Sequence, residues 1–192
     1  MHISKGVLSG GVLIATWAAS SAGIAIGLKK TDPDKIVGTA LISSAFFLAS
    51  LVNLKLGPSS VHLTLVAPMG LILGWAVFPA VFVALLLQAV LFQFGGFLVL
   101  GANTFSLGTS ALVTYIIFGK LARKNFVWAL VAGAFAVMLV ACITGALLML
   151  TDINFLGGAK LLIISHLPLA LIEGVVTAFL MSWLKRVNLF SL

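Results

Sequence analysis

Charge is what this sequence has least of. Eleven Lys or Arg and four Asp or Glu make up 8% of its 192 residues, whereas a soluble domain carries about 25% to cover its surface with polar groups. An ordinary water-soluble domain is therefore excluded. Cysteine is nearly absent: Cys142 stands alone in the uncharged run from Phe126 to Leu150, which excludes an internal disulfide and a cysteine metal cluster and leaves it as a small packing residue. Enzyme signatures are missing too. There is no His-Glu-x-x-His, no Gly-x-Ser-x-Gly and no Gly-x-x-x-x-Gly-Lys phosphate loop, so the chain has none of the usual machinery for hydrolysing ATP. Neither internal repeats nor low-complexity segments occur.

What is present is apolar. Hydrophobic residues form 62% of the chain and the mean hydropathy is +1.28, so the solvent is lipid. The formal charge of +7 comes from basic residues at the ends of apolar runs, without interleaved aromatics, which fits a membrane surface and not nucleic acid. The expected fold is all-α, a single transmembrane domain over residues 1–192 with seven spans in the cell (inner) membrane. Charged and turn residues place these near Gly6 to Leu28, Ile36 to Leu54, Val61 to Phe78, Ala80 to Leu100, Ser106 to Gly119, Phe126 to Leu150 and Leu161 to Leu184. Within the uncharged centre, Pro79 and a Gly101-Ala102-Asn103-Thr104 loop are expected to divide the helices.

With seven spans, one side of the membrane holds Lys29, Lys30, Lys35, Lys120, Arg123, Lys124, Lys185 and Arg186, and the other holds Lys5, Lys55 and Lys160. The excess belongs inside, which puts the N-terminus outside. A signal peptide ending in Ala18-Ala19-Ser20-Ser21-Ala22 is the competing reading of the first span, but its apolar run is longer than such peptides use and ends at Lys29-Lys30. Gly11, Ala15, Ala19, Gly23 and Gly27 recur every four residues in that span, a stripe that suits close helix approach either within this chain or to a separate membrane subunit.

All three histidines fall near the outer face under this topology. A free amine on Met1, the amide nitrogen of His2 and the His2 imidazole can chelate one ion through fused five- and six-membered rings in a plane, provided the chain begins at Met1, and a bulky second residue favours retention of that Met. Planar nitrogen sites suit Ni(II) and Cu(II), whereas Zn(II) prefers a tetrahedron and Mg(II) or Ca(II) prefer oxygen. His62 is the natural fourth ligand. Pro58, Ser59 and Ser60 read as a helix start, which puts His62 in the first turn of the third span, where the helix dipole favours a neutral imidazole; the other reading is an interfacial anchor. Glu173 is the one carboxylate inside a span, about 18 Å beyond Leu161 at the helical rise, and His166 lies on the same face. Two readings of this pair remain open: a second metal site or proton relay, and a hydrogen-bond network that ties helices together using groups such as Asn53, Gln88, Gln93 or Asn103.

Met1-His2-Ile3, Gly6-Val7-Leu8-Ser9, Ser59-Ser60-Val61-His62-Leu63, Phe92-Gln93-Phe94-Gly95-Gly96, Leu100-Gly101-Ala102-Asn103-Thr104-Phe105 and His166-Leu167-Pro168-Leu169-Ala170-Leu171-Ile172-Glu173-Gly174 together resemble the CbiM/NikM substrate-binding components of energy-coupling factor nickel and cobalt transporters. The resemblance spans nearly the whole chain. It implies a seven-helix protein whose Met1 amine, His2 and His62 hold Ni(II) or Co(II), the transported substrate, in a planar site; Asn103, His166 and Glu173 are expected behind these ligands from the reading of the residues themselves. It also implies a transmembrane coupling subunit, ATP-binding cassette ATPase subunits and, in some systems, a small accessory membrane subunit. Ser4-Lys5 departs from the family's usual Pro-Asp or Met-Glu, placing a cation beside the site. Two other functions compete: a standalone metal channel or secondary transporter using His166 and Glu173, and a vitamin-binding component whose specificity lies in a buried pocket.

Overall fold

The computed structural model describes residue 3 and residues 6–51, 53–56 and 59–187, with the backbone alone for 53–56 and 59–62. Among the described residues, eight α-helices make up the body: α1 (Gly10–Lys30), α2 (Ile36–Ser50), α3 (Val66–Leu73), α4 (Val77–Phe92), α5 (Leu100–Ala122), α6 (Phe126–Thr151), α7 (Leu156–Ser165) and α8 (Leu167–Arg186). The all-α expectation holds for this body. Between α2 and α3 lies a short antiparallel hairpin, β1 (Asn53–Leu56) and β2 (Ser59–His62), in which Asn53 pairs with His62.

Five helical segments among the described residues are long and apolar enough to cross a membrane: Gly10–Lys30, Val66–Phe92, Phe97–Ala122, Phe126–Thr151 and Ile153–Arg186. The side chains turned outward are those a lipid face requires, with Ile14 73%, Leu41 67%, Leu150 72% and Phe179 65% exposed. α2, at 15 residues, is about 22 Å long and falls short of a full crossing by itself.

Helix directions follow from the close contacts. Gly70 lies against the Ala111 carbonyl and Gly74 against the Tyr115 ring, so α3 runs parallel to α5, whereas Phe78 packs on Gly108 and α4 therefore runs back the other way. The reversal occurs at Gly74, whose φ of 55° a β-carbon disfavours. Pro79 does not divide the helices as expected. It occupies the third position of α4, inside the first turn, where backbone N–H groups have no intrahelical partner to lose. The Gly101 to Thr104 loop is likewise corrected: these residues are buried within α5, and the turn lies before them at Gln93, Gly95 and Gly96, all with positive φ. Gly101 is needed as a helix residue because the Trp17 ring packs on it; a Cβ there would come within 2.6 Å of the ring.

The α1 stripe also divides. A four-residue repeat drifts about 40° per step around a helix, so Gly11, Ala15 and Ala19 are exposed while Gly23 and Gly27 face the interior. A Cβ on Gly23 would approach the Phe78 ring to 2.6 Å, and Gly108 closes the ring's other side at 2.8 Å. α6 and α8 cross most tightly, with Gly133 against the Glu173 carbonyl and Gly174 against the Leu130 carbonyl. Gly23→Val is expected to lower the thermal unfolding midpoint in detergent, at a cost of about 1–3 kcal/mol for overpacking. Gly11→Ala, with nothing within 4 Å of the added carbon, is expected to leave it unchanged or slightly raised.

Candidate metal site

Met1 and His2 lie outside the described residues, and of His62 only the backbone is described. The segments that carry them are each fixed by a buried polar residue. Ile3, which follows His2, donates its N–H to Oδ1 of Asn103 at 2.9 Å, and Nδ2 of Asn103 reaches back to the Ile3 carbonyl at 3.4 Å. Asn103 can supply an acceptor and a donor at once because its amide carries both. The first glycine of the Phe-Gln-Phe-Gly-Gly turn serves the same point: a Cβ on Gly95 would stand 3.0 Å from Asn103 Nδ2 and 3.6 Å from the Ile3 carbonyl oxygen. Ile3 and Leu8 bury their side chains with Val99, Ala102 and Leu147, and Ser9 N–H donates to Thr151 Oγ1 at 3.3 Å. Ile3, Leu8 and Ser9 thus lie against the start of α5 and the end of α6.

His62 is the last residue of β2 and not part of a helix; α3 begins four residues later at Val66. The expected first-turn position fails because Leu65 adopts a left-handed conformation, φ 44°, which a continuing helix does not allow. The helix-dipole argument for His62 goes with it. What stabilises the bend is Glu173, which accepts hydrogen bonds from the Thr64 N–H, from the Thr64 hydroxyl at 3.1 Å and from the Leu65 N–H at 3.1 Å.

His166 occupies the break between α7 and α8, where Pro168 removes a backbone donor. Its Nδ1 lies 2.6 Å from the Leu162 carbonyl oxygen, and since a carbonyl only accepts, the proton sits on Nδ1. The bonds of His166 go to Leu162 and Ser165, and those of Glu173 to Thr64 and Leu65, so no hydrogen bond joins the pair. No group of three or more His, Cys, Asp or Glu residues is placed to hold a metal among the described residues. Of the partners expected for Glu173, Asn53 has no described side chain, and neither Gln88 nor Asn103 is used. Gln88 donates instead to Ser50 at 2.5 Å and Asn103 serves Ile3. Thr64 is the partner that the sequence reading missed; its signal is a polar residue set in the apolar run between His62 and α3.

α3 and α5 run parallel, so Thr64 at the start of one and Asn103 near the start of the other face the same end of the bundle. The residue after His2 and the residues after His62 are therefore anchored at one end. A family profile described as the cobalt uptake substrate-specific transmembrane region, CbiM, matches residues 2–189. The chain belongs to the CbiM family. As a member of that family with several apolar helices, it is a multi-pass membrane protein. It is 36% identical to a putative metal transport protein of Haemophilus influenzae over 193 residues, covering 97% of this chain and 94% of that one. It is 34% identical over 109 residues to the fused nickel transport protein NikMN of Rhodobacter capsulatus, covering 54% of this chain and 31% of the fused protein. Among solved structures, a truncated transition metal transporter matches with a TM-score of 0.85 at 25% identity, covering 97% of this chain and 99% of that one.

Removing the Asn103 amide leaves the buried Ile3 N–H without an acceptor. Asn103→Ala is expected to cost about 1–3 kcal/mol and to speed hydrogen exchange in the peptide containing Ile3, measured by mass spectrometry, while peptides within α8 keep their wild-type exchange.

Proposed function

We propose that this protein is the substrate-binding membrane component of an ATP-driven energy-coupling factor transporter, and that it captures Ni(II) or Co(II) at the extracytoplasmic face. The observation that carries the reading is that both segments are tethered by a buried polar side chain. Asn103 holds the residue after His2 and Glu173 holds the residues after His62, at one end of the bundle. The metal, here the transported substrate, is bound by the Met1 amine, the His2 amide and imidazole, and the His62 imidazole. The N-terminal three are preorganised by the fused chelate rings, and the Asn103 bonds limit how far that chelate swings, which lowers the ordering cost of binding.

The topology that goes with this function has seven passes and an outer N-terminus. Support comes from the reversal at Gly74, which turns the Val66–Phe92 segment into a descending α3 and an ascending α4, and from α2, which runs alongside α4 through Ser43 Oγ to the Ala80 carbonyl and Gln88 to Ser50. Lys30 over the Trp75 ring and Arg123 on the Leu71 carbonyl mark the opposite end from Ile3, consistent with basic residues inside. Energy is supplied by ATPase subunits through a transmembrane coupling subunit, with a small accessory membrane subunit where the system has one, since the chain has no phosphate-binding loop. A standalone carrier loses its support where His166 and Glu173 fail to pair.

Inserting one Ala between Met1 and His2 keeps every side chain and enlarges only the chelate. This insertion is expected to abolish nickel and cobalt retention by the purified protein; retention at the wild-type level contradicts the site. Binding displaces protons from the amine and imidazoles, so affinity is expected to fall as the pH is lowered from about 8 to about 5, and metal retention that stays flat over that range contradicts these ligands.

A further inference from the structure

Glu173 is 1% exposed, and all of its described bonds go to the two residues that precede α3. An acceptor at that point meets amides that the helix leaves without intrahelical partners, at the positive end of its dipole. The other end of α3 is treated in the opposite sense: Nη2 of Arg123, at the end of α5, donates to the Leu71 carbonyl at 3.1 Å. Every residue from Val66 to Leu71 is buried. A short buried helix is thus held by the Glu173 side chain from α8 at its start and by the Arg123 guanidinium at its finish.

We propose that Glu173 is a positioning residue for the metal site. By fixing the left-handed bend at Leu65 it sets the backbone of His62, which stands two residues before Thr64 and so no more than about 7 Å along the chain, and with it the planarity of the ligand set. This rests on the reading of His62 as a ligand. The three donors on Thr64 and Leu65 that the Glu173 side chain accepts from fit a role behind the ligands. It is not one half of a relay, since His166 bonds elsewhere.

The test uses the full chain in detergent as wild type, Glu173→Gln, Glu173→Ala and His62→Ala, titrated with nickel chloride alone. Three quantities are read: affinity, the ligand-field absorption band of Ni(II), whose energy reports planarity, and the thermal midpoint of the metal-free protein. Glu173→Ala is expected to weaken nickel binding about 10- to 100-fold and to shift the band. Glu173→Gln, which keeps one acceptor oxygen for the Thr64 amide, is expected to lose less. If both variants lower the midpoint yet bind nickel with wild-type affinity and band, Glu173 serves packing alone and the proposal is overturned. If Glu173→Ala fails to fold, Glu173→Gln decides: a weakened, shifted site supports the proposal and a wild-type site overturns it. His62→Ala separates the two levels. Nickel retained there overturns the ligand assignment and the proposal together, whereas loss there with a wild-type Glu173→Gln overturns the proposal alone.

Discussion

A backbone amide that leaves a helix inside a membrane protein has no water to turn to and must find its acceptor in another part of the chain. At Thr64 and Leu65 that acceptor is Glu173, and much of the rest follows from this bond. The carboxylate lets the chain pass from the β2 strand into α3 through a bend that a bulky residue rarely adopts. It ties α8 to α3, and α8 is locked to α6 where Gly133 and Gly174 bring the two backbones together. The cost of burying this side chain is reduced by donors that α3 would otherwise leave unpaired. The same economy of polar groups appears at Asn103, whose one amide satisfies both the N–H and the C=O of Ile3.

Between these tethers the body is fitted by size. Where no hydrophobic force separates protein from lipid, helices associate through close packing, and glycines provide it here. The Phe78 ring lies in a slot between Gly23 of α1 and Gly108 of α5, while Gly70 admits the α5 backbone to α3. The serines and threonines on these helices mostly satisfy themselves, as Ser110 and Thr114 do by donating to carbonyls four residues back. The few side chains that bond across helices, Ser20 to the Gly101 carbonyl and Ser43 to the Ala80 carbonyl among them, stand out because they set register.

The membrane class and the outer helices are legible in the sequence because composition and the basic flanks carry them. α6 begins and ends within a residue of its expected bounds. The centre is not legible by the same means. Pro79 looks like a breaker, but a proline in the first turn of a helix displaces no hydrogen bond; Gly101 to Thr104 looks like a loop, but those residues are small because Trp17 and Ile3 pack upon them. In each case a contact distant in sequence overrides a local preference. The histidines and Glu173 stand out from the sequence as chemistry in an apolar chain, whereas their partners do not. That Glu173 serves Thr64 and not His166 depends on how α8 lies against α3, which no spacing along one helix reveals.

The central claim is that the two anchored segments bring four nitrogens into a plane around the captured ion. X-ray absorption at the nickel edge of the loaded protein tests it most directly. The account predicts four nitrogen neighbours and the pre-edge feature of a planar ion. A six-coordinate, oxygen-rich environment without that feature would contradict it.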